Sequence, residues 1–130
     1  MAIQNAQLTD TQLDVLTASA NQTVAITSIM VCNTFAPSAV VLTGTSPPVT
    51  GPHIANFDMH IIKNNQALSN SVTCVIRELS LPAGETFTFD SEKVVLAPGD
   101  KLSFVGGAVN PADIVNNLTD LSVSVSYLEV

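Results

Sequence analysis

The sequence predicts an all-β chain: a single antiparallel β-sandwich, jelly-roll-like, of about eight or nine strands, led by a short polar N-terminal arm. Three observations predict it. Apolar and polar residues alternate over short runs, as in Phe57–Ile62 and Leu121–Tyr127. Clusters of Gly, Pro, Asn and Asp punctuate the chain at spacings of about ten residues. No segment shows a convincing helical period, and a parallel sheet would need crossover helices.

Residues 1–11 are polar and read as an unpaired arm, with the sandwich occupying 12–130. The first strand is Gln12 to Thr17, with Leu13 and Val15 on one face. The second runs from Thr23 to Cys32, and its phase slips at Thr27-Ser28: Val24 and Ile26 lie on even positions, Ile29 and Val31 on odd ones. A slip would turn every later side chain to the other face, so a β-bulge is expected there. Ala39 to Thr43 is apolar on both sides and reads as a central third strand. Gly44 to Pro52 carries Pro47, Pro48 and Pro52, three residues without a backbone donor, and reads as a long loop.

Phe57, Met59 and Ile61 then alternate with Asp58 and His60. Lys63 to Gln66 is a turn in which Asn can take positive φ. The next strand, Ser71 to Ile76, is read with Val72, Cys74 and Ile76 inward, and the phase change to Leu79 and Leu81 predicts a kink at Arg77-Glu78. Phe87 and Phe89 share a face after the Leu81–Gly84 turn. Ala97-Pro98-Gly99-Asp100 has type II turn chemistry, with Pro pre-setting φ and Gly supplying the positive φ that follows. It joins the strands Val94–Leu96 and Lys101–Val105. A second long loop, 106–118, with one helical turn at 111–115, precedes the last strand, Leu121 to Tyr127. Ser122, Ser124 and Ser126 give that strand a neutral, small-residue face, open to solvent or suited to packing between copies.

Composition narrows the function classes. The chain has 130 residues, enough for one hydrophobic core, and it is 46% hydrophobic but only 12% charged. Either Ser, Thr and Asn carry the solubility or partners cover much of the surface. Eleven acids against four bases (Lys63, Arg77, Lys93 and Lys101) give a net charge of −7, the wrong sign for nucleic-acid binding. With one Tyr and no Trp there is little to stack a sugar on. The N-terminus lacks a basic region and an apolar core, so no signal peptide is expected, and no apolar run is long enough for a membrane helix. The sequons at Asn21 and Asn117 are then chance matches, and Cys32 and Cys74, each inside an apolar run, read as buried thiols, with a single bridge between them as the alternative.

No catalytic motif occurs. His53, Asp58 and His60 are the only grouping a metal might use, and three ligands fall short of a closed structural site. Asp58 and His60 are read instead as a solvated strand face. Glu85, Asp90, Glu92 and Asp100 sit at turns, where acids are ordinary. No catalytic, cofactor-binding or metal residue is therefore assigned, and an enzyme is not expected.

Three stretches carry a resemblance: TSIMVCNT at 27–34, LPAGETFTFDSEKVVLAPGDKLSFV at 81–105, and LSVSVSYLEV at 121–130. Cys32-Asn33-Thr34, Pro82 to Thr86, Leu96 to Leu102 and Val123 to Glu129 follow in the order seen in small virion structural proteins of tailed bacteriophages, including marine and cyanobacterial phages, and the chain resembles that family over most of its length, outside 44–70 and 106–118. The resemblance implies a non-enzymatic virion protein, assembled in the host cytoplasm. Its leading form is a capsid decoration or cement protein on the major capsid protein, acting as a homo-oligomer with a trimer favoured. The alternative it implies is a tail, baseplate or fibre component. The family offers no functional residues to carry over. On the decoration reading, edge strands and the two long loops (44–56 and 106–118) make the contacts, and the polar arm tethers the chain to the capsid.

Overall fold

A computed structural model describes residues 2–34, 41–42, 49–50, 55–90, 94–107 and 118–130. It is all-β, with no helix among the described residues. The strands are Ala2–Thr9 (β1), Leu13–Thr17 (β2), Val24–Asn33 (β3), Val41–Leu42 (β4), Val49–Thr50 (β5), Ala55–Ile62 (β6), Cys74–Leu81 (β7), Thr86–Phe89 (β8), Val94–Leu96 (β9), Lys101–Gly106 (β10) and Leu118–Glu129 (β11).

Two antiparallel sheets form the sandwich. One has the order β1-β11-β3-β8, with β9 also pairing β3; the other has the order β2-β10-β6-β7. Strands β8 and β9 lie end to end along one edge of β3, Phe89 opposite Ile29 and Val94 opposite Ile26. The core lies between the sheets, where alternate residues of each strand meet. Ile29 and Val31 of β3 and Leu121, Val123 and Val125 of β11 face Phe57 and Met59 of β6 and Leu102 and Phe104 of β10, all at most 1% exposed. Phe57 links the layers: its ring lies 6.0 Å from Phe87 and 6.1 Å from Phe104, both tilted, the geometry aromatic pairs prefer.

The expected phase breaks are present. At the Thr27 bulge the register with β11 passes from Ser126↔Ser28 to Tyr127↔Ile26, and the Thr27 hydroxyl donates to the Ser126 carbonyl at 3.0 Å. The kink at Arg77-Glu78 is a second bulge, where Asp58 faces two residues and Glu78 takes a φ of 50°. Asn65, Gly84 and Gly99 hold the positive φ values that their turns require.

Four expectations need correction. The segment read as an unpaired arm over 1–11 contains β1, paired along β11 from Ala2↔Tyr127 to Gln7↔Ser122, with Leu8 fully buried. Apart from Leu8, β1 needs little apolarity because it sits at a sheet edge, and its polar side chains conceal the strand. The stretch read as a central third strand contributes β4, which pairs only β5, in a separate two-stranded sheet among the described residues. Val49 and Thr50 lie between the prolines of the expected loop and keep the donors that this pairing uses. Finally, Ser71–Thr73 is a turn and Val72 is exposed: the Ser69 carbonyl accepts from the Thr73 backbone N–H and from its hydroxyl, both at 2.9 Å, and this local bonding replaces the ladder. The rest of the two long loops, His53, and the helical turn expected at 111–115 lie outside the described residues.

Candidate functional site

Strand β6 puts Asp58 and His60 on one face, the outer face of the four-stranded sheet, as the alternation requires. That face is not solvated there. His60 is 0% exposed and Asp58 8%, which overturns the solvent reading. The reason is what covers them. Asp58 is held by Arg77, whose Nη1 donates to Oδ2 at 2.8 Å, and by the Glu78 backbone N–H, which donates to Oδ1 at 2.6 Å. The carboxylate thus stabilises the bulge of β7 by occupying both oxygens. His60 lies under the 69–73 turn, with Nδ1 2.9 Å from the Thr73 hydroxyl.

The tautomer follows from the hydroxyl. Thr73 Oγ1 has one proton, and it donates that proton to the Ser69 carbonyl while accepting from the Ser69 N–H. His60 Nδ1 is therefore the donor in the third bond, and Nε2 carries a lone pair. Nε2 is buried and has no hydrogen-bond partner among the described residues. Burial is the main cause holding the imidazole pKa below its ordinary value; the Asp58 carboxylate pulls it back up and the Arg77 guanidinium pushes it down. His60 is thus a neutral ring wedged beneath a turn.

The neighbouring polar groups are equally committed. Ser103 sits opposite His60 on β10, but its hydroxyl donates to Asp14 Oδ1 at 2.6 Å, so its proton is not shared with the imidazole. Burial raises the Asp14 carboxyl; the bonds from Ser103 and Gln12 and the charge of Lys101 outweigh that and lower it. Cys74 faces His60 across the sheet, because a further bulge at Val75 separates its phase from Ile76; the inward placement expected for Cys74 is corrected by that bulge. Burial, with Asp58 nearby, raises its thiol pKa. Among the described residues no three His, Cys, Asp or Glu side chains converge as metal ligands.

Of the acids read as turn residues, Asp100 holds a turn. Asp100, 3% exposed, accepts from the Asn64 and Ala97 backbone N–H groups at 3.0 Å each and lies 3.5 Å from Lys63 Nζ. Burial raises its carboxyl, but those two N–H bonds and Lys63 bring it below the usual range. Glu85 and Asp90 are exposed, and Glu92 lies outside the described residues.

The motifs of the resemblance meet in space. Asn33, fully buried at the end of β3, donates from Nδ2 to the Leu81 carbonyl at 2.9 Å. Its backbone N–H donates to the Glu85 carbonyl and its carbonyl accepts from Gly84, both at 2.9 Å. The side chain, N–H and carbonyl of this one residue thereby clamp the 81–85 turn to the other sheet's β3. The 97–100 turn is tied in the same way, through two backbone bonds to Ala18. Sequence reading located these stretches without revealing that Asn33 joins two of them; an Asn inside an apolar strand was the available signal.

The serines of β11 belong to a wider surface. Ser122, Ser124 and Ser126 pair with Cys32, Met30 and Ser28 of β3 on one side and with Gln7, Asn5 and Ile3 of β1 on the other. Ser124 Oγ donates to Asn5 Oδ1 at 2.7 Å. Thr88 and Thr86 of β8 continue the rows beyond Met30 and Cys32. Cys32 and Cys74 lie in different sheets and are free thiols. No family model, no curated protein and no solved structure matches the chain.

Proposed function

We propose that this chain is a non-enzymatic structural component of a bacteriophage particle, a decoration or cement protein that binds major capsid subunits. The observation that carries this reading is the use to which the motif residues are put. Asn33 clamps the 81–85 turn, Asp100 organises the 97–100 turn, and the strand ending in Val123–Glu129 forms the centre of a sheet. Residues that define the resemblance are spent on a rigid, tightly turned sandwich. The polar groups buried under the 69–73 turn are likewise engaged in holding bulges and turns.

A rigid domain of this kind works by adding buried area between shell subunits. Its binding to the assembled shell and not to separated subunits stabilises the shell by mass action. The net charge of −7 favours a basic shell surface and speeds encounter with it. The long loops are the remaining candidates for the contact, since the N-terminal segment is committed to the sheet as β1.

The test is addition of the purified protein to heads that lack it, followed by thermal rupture. A saturable rise in rupture temperature supports decoration. An unchanged rupture temperature at saturating protein overturns it.

A further inference from the structure

We propose that the outer face of the five-stranded sheet is the surface on which two copies of this chain pack face to face. The chain carries a net charge of −7, yet the three cross-strand rows centred on Ser122, Ser124 and Ser126 contain no Asp, Glu, Lys, Arg or His. Asp90, exposed, follows the end of β8, beyond these rows. The face is also where exposed apolar side chains gather. Ile3, Met30, Val95 and Leu128 are each 43–65% exposed, four of the seven large exposed hydrophobics among the described residues. Leu128 and Val95 flank Ala25 in one row, and Met30 is central, beside Ser124.

The chemistry selects a second copy as the occupant. Hydroxyls and carboxamides donate and accept equally, so rows of Ser, Thr, Asn5 and Gln7 are complementary to themselves. A basic partner would need acids on the face, and there are none in its rows. Small side chains let two sheets approach to the spacing of about 10 Å at which sheets pack, and Met30 is the adaptable filler between them. The area suffices. Four strand widths by the seven residues Ser122–Leu128 give about 19 Å by about 24 Å, so two copies bury about 1,000 Å² once side-chain relief is included, the least a specific interface needs and the size of a weak, reversible one. A face that meets itself generates a two-fold axis, in place of the three-fold that the resemblance implies.

The charge distribution sets a distinctive salt response. Two copies, each of net charge −7, repel one another, so association through a neutral face tightens as salt screens that repulsion. Binding between opposite charges would weaken instead.

The test is sedimentation equilibrium of the purified full chain at about 0.05 M and about 0.5 M salt, over protein concentrations up to about 0.5 mM. The expected result is a monomer–dimer equilibrium that tightens with salt. Ser124→Glu, at a half-buried position in the middle of the face, and Thr88→Glu, at an exposed one, each weaken it at least tenfold. Val75→Glu, exposed on β7 of the other sheet, leaves it unchanged. Thermal melts of each variant at a concentration where the chain is monomeric separate lost association from lost folding. A monomer at every concentration, an association that weakens with salt, or a dimer insensitive to both face variants overturns the proposal. The isolated chain is the object measured, so failure here leaves the particle reading standing.

Discussion

Asn33→Ala is the substitution that most sharply tests how the turns are held. The side chain is 0% exposed, and its Nδ2 donates to the Leu81 carbonyl at 2.9 Å. Alanine leaves that carbonyl without this donor in a site that water does not reach, and an unsatisfied buried polar group costs about 1–3 kcal/mol. The two backbone bonds of Asn33, to the Glu85 carbonyl and from the Gly84 N–H, survive, so the turn loosens and the domain still folds. For a domain between the usual size classes, a loss of about 2 kcal/mol corresponds to a melting temperature lower by about 6–10 °C. Asn33→Asp is the companion variant. It sets a carboxylate oxygen against the Leu81 carbonyl, so it costs more than alanine at neutral pH, and part of that cost disappears in acid as the carboxyl protonates and can donate. Urea titrations of both variants at pH 7 and pH 4.5 are the assay. A destabilisation below about 0.5 kcal/mol for alanine, the range of neutral surface substitutions, would refute the reasoning.

Three further outcomes are expected. Deleting residues 1–9 removes β1 and the fully buried Leu8, whose burial alone contributes about 1.5–3 kcal/mol, and it bares the edge of β11; the truncated chain melts lower and aggregates, whereas an unchanged melting curve would restore the free-arm reading. The folded state of His60 holds its pKa below the unfolded value near 6.5, so its contribution is complete above pH 6.5 and is lost as pH falls through the lower folded pKa; the slope of melting temperature against pH between 7.5 and 5 should flatten in His60→Gln. Asp14 and Asp100, lowered from 3.8, begin to lose their contributions only below that pH, so the loss on acidification begins with His60. Gly99→Ala forces a Cβ to within 2.5 Å of Asn64 Cγ at a φ of +86°; equilibrium unfolding should show a loss of about 1–2 kcal/mol, and a neutral result would mean that the 97–100 turn relaxes freely.

What the sequence disclosed followed from period and turn chemistry. The bulge at Thr27 was legible because Val24, Ile26, Ile29 and Val31 cannot all face the core without one, and Leu79 and Leu81 exposed the kink before them in the same way. The bulge at Val75 was hidden, since Val72, Cys74 and Ile76 satisfy a period of two on their own; the Ser69–Thr73 bonds that override it leave no trace in hydropathy. Strand β1 was concealed for a related reason. Most of its side chains are polar and exposed, and what orders it is the ladder to β11.

The buried polar pair was misread because polarity on an alternating strand ordinarily means water. Asp58 and His60 are polar and covered, each held by a partner on β7 or in the turn before it: Arg77 and Glu78 for the one, Thr73 for the other. Cross-strand partners of this kind are set by register, which hydropathy does not encode. The neutral face was partly legible in the alternating serines of β11. Its breadth came only from the pairing that sets Asn5, Met30 and Thr88 beside Ser124.

The account's central claim, a structural role on the shell of a virus particle, is tested most directly by copy number. Quantitative mass spectrometry of particles purified from the source of the sequence gives copies of this chain relative to the major capsid protein. The account predicts a fixed ratio with copies in the hundreds per particle. A dozen or so copies would move the chain to the tail, and its absence from purified particles would contradict the claim.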